Sequence, residues 1–449
     1  MRAAIFASVA LRFPEPVPMP SRLQRAVRAS AALVAFGALG TLGACADDPE
    51  LNLVEPQANA AFMQRYVALG SSIDAGVQNG GISEATQRQA WPALVARAAG
   101  TTYEAAYLAG PGCAPQPTFS SAFLAAVGQV LPAGPCMRVA GNAGAVLLNN
   151  VAVPGTNSAD ATNAPGGTPN VLSTLILGGR TQVQRALELD PTFVSVWVGN
   201  NDVLGAGLRG DTVATSVAAF TANYQAMVDA LTAGTAGAAR KGILIGLVDI
   251  TATPALIPAA LLVNNTGGYR TAIEQGLLRG RTLAIVPGSC PANTTALVSL
   301  ALLLQLAQAA QAPNAPAAFP FACQPTTIPG PGGTTITVGT SGVLDATERS
   351  WLAARVAALN TVIEQLATQK EWAYWSPNPL LQTLRSEGRI LTAPDFADPV
   401  APFGTAFSLD GFHPSAEGQR RIAAGVITAI NAKYGSTIPT TFGTVAAVR

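Results

Sequence analysis

The chain contains a single histidine, His413, in the run Asp410-Gly411-Phe412-His413-Pro414. No other type of side chain has an unperturbed pKa suited to proton transfer near neutral pH, so any step that needs an imidazole depends on His413. A carboxylate three residues before a histidine can bind one ring nitrogen on a turn that enters a helix, which leaves the other nitrogen free to serve a nucleophile. Asp410 and His413 are therefore a candidate general-base pair for hydrolysis. On its own, Asp-x-x-His is more often a capping or surface feature.

A candidate nucleophile lies early in the chain. Residues 65–70 form a short apolar run that ends in Gly70-Ser71-Ser72-Ile73, which predicts a buried strand followed by a tight loop. A serine there lies at the mouth of a sheet, beside backbone N–H groups that favour developing negative charge. We therefore consider Ser72 a candidate nucleophile, while a lone serine after a strand more commonly caps a turn.

Two further loops offer hydrogen-bond donors for an oxyanion. The run Trp197-Val198-Gly199-Asn200-Asn201-Asp202 ends one predicted core strand, and Val153-Pro154-Gly155-Thr156 ends another. A glycine such as Gly155 lets the backbone approach a ligand closely, and the side-chain amide of Asn201 can donate.

The alternation of short apolar runs with amphipathic stretches predicts an α/β fold with a parallel sheet covered on both faces. In such sheets the active site lies at the carboxyl ends of the strands. Predicted strands are 65–70, 146–153, 193–198, 243–250 and 372–375, and predicted helices are 87–99, 181–189, 213–231, 346–369 and 415–434.

An uncharged stretch interrupts this pattern. Residues 282–344 include no Asp, Glu, Lys or Arg, and 296–310 is an apolar run of helical character. We predict an insertion at about 251–344. Its composition suits either a lid or acyl-binding wall over the site, or a disulfide-linked excursion that packs on the body.

The overall composition excludes some partners. The chain has 449 residues, of which 26 are basic and 25 acidic, so it lacks the excess of positive charge that would bind a nucleic acid. Beyond the first segment there is no uninterrupted apolar run of the ~18 residues that span a bilayer.

The first 45 residues are typical of a targeting sequence. A basic segment, 22–28, precedes an apolar one, 31–42, and the Leu42-Gly43-Ala44-Cys45 that follows resembles a bacterial lipobox. That resemblance implies that Cys45 is lipidated and anchors an exported protein to a membrane of the cell envelope. Ala46 after Cys45 is compatible with the outer membrane of a Gram-negative cell. The alternative is an ordinary cleaved secretory signal.

The remaining organisation follows from this leader. We predict a flexible tether over 46–61, a catalytic domain over 62–435 and a tail over 436–449.

The other cysteines are an even set, as expected for an oxidising compartment. Proximity in sequence favours the pairs Cys113 with Cys136 and Cys290 with Cys323, although three pairings are formally open. Without CxxC spacing or a nearby histidine, these thiols make a poor zinc site, so we expect no metal and no cofactor.

Taken in order, the serine loop, the glycine, the Gly-x-Asn-Asp and the late Asp-x-x-His resemble the blocks of the SGNH or GDSL hydrolase superfamily. The resemblance implies a three-layer α/β/α, flavodoxin-like fold with Ser72 as nucleophile, His413 as general base and Asp410 as its orienting carboxylate. It further implies an oxyanion hole made by the N–H groups of Ser72 and Gly155 and the side chain of Asn201. One position departs from the pattern, because Ser71 replaces the usual aspartate of Gly-Asp-Ser-Leu.

We therefore expect a serine carboxylester hydrolase of the esterase or lipase type, acting on a small-molecule or lipid ester. A carbohydrate O-deacetylase of the same superfamily is the alternative. Tryptophans could line its substrate groove, although such residues lie more often in the hydrophobic core. The candidates are Trp91, Trp197, Trp372 and Trp375. A third hypothesis is a surface lipoprotein that keeps the fold as a binding module.

Overall fold

The structure, a computed structural model, describes residues 58–79, 81–109, 113, 136–142, 147–162, 171–233, 240–330, 333–339, 341–395, 398 and 400–442. The strands are β1 (Tyr66–Gly70), β2 (Phe193–Trp197), β3 (Lys241–Ile245), β4 (Leu256–Pro258), β5 (Thr282–Ile285), β6 (Leu297–Ser299), β7 (Ala318–Phe321), β8 (Thr326–Pro329), β9 (Thr335–Val338), β10 (Val343–Leu344) and β11 (Ala373–Trp375). The helices are α1 (Ser72–Ala75), α2 (Glu84–Arg88), α3 (Trp91–Ala99), α4 (Val171–Leu177), α5 (Gln182–Leu187), α6 (Asn200–Arg209), α7 (Val217–Thr232), α8 (Ala259–Val263), α9 (Tyr269–Gln275), α10 (Leu300–Ala309), α11 (Ala346–Gln369), α12 (Asn378–Ser386) and α13 (Ala416–Tyr434).

A parallel sheet in the order β1-β2-β3-β11 forms the centre of the fold. Gly70 at the end of β1 pairs with Trp197 at the end of β2, and all three strand pairs are parallel. Beside β1, Asn150 bridges to Ala68 in the parallel direction. Since the strands run together, their carboxyl ends share one edge, where the loops with the candidate site residues begin.

Helices cover both faces of this sheet, so the predicted three-layer α/β/α architecture is confirmed. Alternate residues of each strand enter different cores: Val67 packs with the apolar sides of α7 and α11, whereas Tyr66 packs with those of α3 and α13. Every residue of β1 and β2 is buried. Continuous burial explains why these strands are apolar runs rather than alternating ones.

Strand and helix ends differ from the predictions where local chemistry intervenes. The helix expected over 87–99 is two helices, α2 and α3, because Pro92 begins a new helix at its first turn. The strand expected over 243–250 ends at Ile245, and the strand expected over 146–153 is reduced to the bridges of Asn150. The apolar run 296–310 begins as β6, and Ser299 then caps α10.

The predicted insertion, 251–344, supplies most of an apolar core that is separate from the two cores on the central sheet. Its small sheets are β10-β6-β4, β5-β7 and the hairpin β8-β9. Leu262, Leu303 and Phe321 belong to a core that also contains Leu384 of α12 and Phe407 near the histidine. The insertion thus packs behind the elements that carry the late Asp-x-x-His.

Both favoured disulfides are present. Cys113 bonds to Cys136 with Cα atoms 4.8 Å apart, and Cys290 bonds to Cys323 with Cα atoms 5.0 Å apart. The expectation of two disulfides is therefore confirmed.

The leader 1–45 with Cys45, and the tether as far as residue 57, lie outside the described residues. A 3₁₀ helix, Ala58–Met63, begins within the last part of the predicted tether. Across the described residues, no helix combines the length and the apolar character that crossing a membrane requires.

Candidate active site

A cavity of about 160 Å³ opens at the carboxyl edge of the sheet. Ser72, Gly155, Asn201 and His413, four of the predicted site residues, all line it. Ser72, Gly155 and Asn201 meet because β1, the segment of Asn150 and β2 end at one edge, and His413 comes from the segment before α13. Asp410 lies behind His413 and completes the set.

Ser72 is the first residue of α1 and is half-buried. Ser71 caps this short helix, and its backbone N–H donates to Oδ2 of Asp74 at 2.9 Å. A Cβ on Gly70 would lie 2.1 Å from Cγ of Asp74, so only glycine leaves room for that carboxyl group. Ser71 thus replaces the usual aspartate of the serine loop, and the carboxyl group of Asp74 binds the backbone of that loop.

Asp74 is fully buried, and this burial raises the pKa of its carboxyl group well above the usual value. The backbone N–H of Ser71 partly offsets the cost of desolvation by hydrogen bonding. Asn150 donates from Nδ2 to the backbone carbonyl of Asp74 at 2.9 Å, which ties the serine helix to the neighbouring strand segment.

The imidazole of His413 is held by Asp410. Nδ1 of His413 lies 2.7 Å from Oδ2 of Asp410, whose side chain is inaccessible to solvent, while the histidine side chain is 14% exposed. A carboxylate only accepts, so Nδ1 carries the proton and Nε2 is the free ring nitrogen. The other oxygen, Oδ1, accepts from Ser408 Oγ and from the N–H groups of Phe412 and His413, each at 2.9 Å.

These contacts keep Asp410 ionised. Burial alone would raise its pKa, but the charge and hydrogen bonds of His413, followed by the N–H of Phe412, lower the pKa to about 2. The pair therefore has the orientation and charge that a general base and its supporting carboxylate need.

The two other predicted donors face the same cavity. Gly155 has φ +88°, a conformation that favours glycine, and a Cβ placed on it would meet nothing within 4 Å, so its backbone borders open space. Asn201 uses one hydrogen of Nδ2 to donate to the carbonyl of Thr156 at 2.8 Å, which leaves the second hydrogen of the amide.

Asp202, the residue after Asn201, holds the glycine loop. Its buried carboxyl group accepts from the N–H and the Oγ of Ser158, both at 2.7 Å. Burial raises the pKa of Asp202, and the hydrogen bonds from Ser158 and Thr215 counter that rise.

Polar side chains that the sequence analysis did not single out connect the loops. Gln419 of α13, which is completely buried, donates to the carbonyl of Ile73 at 3.1 Å and accepts from the N–H of Trp91 at 2.9 Å. Asn79 accepts from the N–H of Leu409 at 3.0 Å, and so joins the segment after α1 to the histidine loop. The burial of Gln419 could have been inferred from the sequence, because it lies three residues before Ile422 and so on the apolar side of the predicted helix.

The walls of the cavity are apolar. Among the described residues, no Asp, Glu, Lys or Arg lines it, and α12 contributes Leu380, Leu381 and Leu384. Thr253 is the one described residue of the predicted insertion that lines the cavity, so the insertion supports this wall from behind rather than forming a lid. Of the four candidate tryptophans, Trp197 borders the cavity, Trp91 and Trp372 are buried in the cores, and Trp375 is partly buried and packs against the core that contains Trp91.

Comparison with known proteins extends this description. A family model described as GDSL-like Lipase/Acylhydrolase matches residues 66–426. Among solved structures, the chain is similar to an extracellular lipase from Streptomyces rimosus, with 14% sequence identity over 82% of this chain and 98% of that one and a TM-score of 0.27. No curated protein matches the sequence significantly.

Proposed function

Since the chain belongs to the GDSL-like lipase/acylhydrolase family and is a hydrolase that acts on ester bonds, we propose that it cleaves carboxylic esters with an apolar acyl group. One observation carries this proposal. Ser72, His413, Gly155 and Asn201 surround a single cavity whose described lining is free of charged side chains. Such a cavity desolvates an aliphatic chain at little cost, because no buried charge loses its hydration.

The proposed reaction assigns one role to each group. Oγ of Ser72 attacks the acyl carbonyl while Nε2 of His413 takes its proton, and Asp410 stabilises the resulting imidazolium. The N–H groups of Ser72 and Gly155 and Nδ2 of Asn201 donate to the oxyanion, where the loss of one donor typically costs about 10²- to 10³-fold in rate.

His413 then protonates the leaving alcohol, and the C–O bond to that alcohol breaks to give an acyl-serine. Water attacks this second ester with His413 again as base, which releases the acid and restores Ser72.

The lining offers less to a carbohydrate ester. A sugar groove needs exposed aromatic faces and polar partners, whereas Trp197 is 1% exposed and its indole N–H already donates to the carbonyl of Gly246 at 2.9 Å. The O-deacetylase alternative therefore has weaker support than an acyl ester.

A fluorophosphonate probe tests the proposal and separates it from a binding module. We expect folded protein to be labelled at Ser72 and the Ser72→Ala variant not to be labelled. Ser71→Ala is the matched control, because it removes the neighbouring hydroxyl and leaves the proposed nucleophile. Hydrolysis of an ester panel should fall by about 10³-fold or more in His413→Ala. Unlabelled wild-type protein, shown by circular dichroism to be folded, would favour the binding module.

We also propose that the protein is exported and anchored by lipid at Cys45, ahead of a domain that spans about 62–435. The lipobox-like run before Cys45 and the two disulfides support this, since disulfides persist in oxidising compartments. In a Gram-negative host, Ala46 after Cys45 would be compatible with sorting to the outer membrane. Incorporation of labelled palmitate into wild-type protein, but not into Cys45→Ser, is the expected result, and equal incorporation would contradict it.

A further inference from the structure

A buried glutamine, Gln182, lies beneath the loops that carry two of the proposed oxyanion donors. It is the first residue of α5, it is 1% exposed, and it belongs to none of the sequence blocks. Its Oε1 accepts from the N–H of Gly70 at 3.0 Å, and its Nε2 donates to the carbonyl of Gly70 at 2.9 Å. Gln182 thus binds both backbone groups of the residue that ends β1.

The same amide also binds the glycine loop. Nε2 donates its second hydrogen to Oγ1 of Thr156 at 2.9 Å. Thr156 follows Gly155 directly, and its hydroxyl donates in turn to the carbonyl of Val153 at 2.8 Å, which closes the turn around Gly155. One side chain therefore connects the residue two before Ser72 with the residue one after Gly155.

We propose that Gln182 is a positioning residue that sets the spacing between the two backbone donors of the oxyanion hole; this inference rests on the proposed function. Both hydrogens of Nε2 and one lone pair of Oε1 are engaged by groups that are themselves buried, so the amide has a defined orientation. Rate depends steeply on such spacing, because displacement of reacting groups by about 1 Å costs about 10²-fold.

A second link connects the two loops independently of this amide. The N–H of Val153 donates to the carbonyl of Gly70 at 3.3 Å, and β1 keeps its pairing with β2. Loss of Gln182 is therefore expected to loosen the donors of the oxyanion hole rather than to separate the loops.

The test compares Gln182→Met with Gln87→Met, since Gln87 is a matched control. Gln87 is 4% exposed, accepts from the N–H of Leu108 at 2.8 Å and donates to the carbonyl of Ala106 at 3.0 Å, and it does not line the cavity. In both variants methionine keeps the length of the side chain and removes the amide. Esterase kinetics and urea unfolding are measured for each.

We expect kcat of Gln182→Met to fall by about 10- to 100-fold. KM should change by less than about threefold, because the acyl contacts remain. Gln87→Met should keep kcat within about threefold of wild type even if both variants lose similar stability, since its bonds lie outside the site. A loss of kcat in Gln182→Met no greater than in Gln87→Met would overturn the proposal.

A pair of variants at Thr156 tests the same link without touching Gln182, and decides the matter if Gln182→Met fails to fold. Thr156→Ser keeps the hydroxyl and should restore most of the kcat that the isosteric Thr156→Val loses. Equal kcat in these two would contradict the proposal. If wild-type protein neither hydrolyses esters nor reacts with the fluorophosphonate, the proposed function itself fails, which is a different result from an active enzyme that is insensitive at Gln182.

Discussion

Replacement of Asp410 by asparagine should place the histidine proton on the wrong nitrogen. The asparagine side chain has one oxygen, which can take either of two positions. It can replace Oδ1, which faces Ser408 Oγ and the N–H groups of Phe412 and His413, or it can replace Oδ2, which faces His413 Nδ1. The asparagine oxygen accepts three hydrogen bonds in the first position and one in the second. With a net value of about 0.5 to 1.5 kcal/mol for each bond, two extra bonds favour the first position by about 1 to 3 kcal/mol.

In that orientation the amide NH₂ faces Nδ1, which must then accept, and the ring proton moves to Nε2. Nε2 can no longer take a proton from Ser72, so the productive tautomer becomes scarcer by about 5- to 150-fold at 1.36 kcal/mol for each tenfold change. The loss of a negative charge beside the imidazolium adds to this. A total loss in kcat of about 10⁴-fold is expected, the loss that the same change produces in a serine protease.

The assay is kcat for a soluble short-chain p-nitrophenyl ester, with near-unchanged KM as the sign that binding is intact. Ser408→Ala is the control, because it removes one of the three donors to Oδ1 and keeps the carboxylate. Retention of more than about a fifth of wild-type kcat by Asp410→Asn would refute the tautomer argument, since even the weakest value above requires about a fivefold loss.

Other predictions concern pH, burial and substrate shape. The pKa of Asp410 is lowered from 3.8 to about 2 in the folded protein, so ionisation of this group stabilises the fold at pH values above 3.8. The difference in unfolding free energy between wild type and Asp410→Asn, measured by urea titration, should therefore shrink by about 2 kcal/mol from pH 5 to pH 2. Asp74 has the opposite sign, since its raised pKa means that charging it costs stability, so Asp74→Asn should gain on wild type in unfolding free energy from pH 4 to pH 8. Leu380→Trp places a larger side chain in the cavity and should lower kcat/KM for a long-chain ester at least about tenfold relative to an acetyl ester. An unchanged ratio of the two kcat/KM values would show that α12 does not contact the acyl chain.

Patterns that repeat along the chain predicted the elements well. The helix over 346–369 has the predicted bounds, because Asp345 and Glu348 form a capping box at its start. β1 and β2 were predictable since strands buried on both faces are short apolar runs between turn residues. The position of the predicted site residues around one cavity follows from the shared edge of a parallel sheet.

Contacts between distant polar groups could not be predicted. Gln182 is buried with partners at Gly70 and Thr156, and Oδ2 of the buried Asp74 has a partner at Ser71; no local periodicity encodes such partners. For the same reason, the Asn150 segment appeared as a full strand in the sequence, while in the fold it contributes single bridges to Ala68 and Ala105.

The docking of α13 has a consequence for folding. Ile422, Val426 and Ile430 place this helix on the face of the sheet, and His413 lies just before it, 341 positions beyond Ser72. Contacts at such a separation form slowly, because the entropy cost of closing a long loop comes before the contacts stabilise the structure. Ester turnover during refolding should consequently emerge with the slowest kinetic phase, which makes enzymatic activity a direct reporter of the final assembly event.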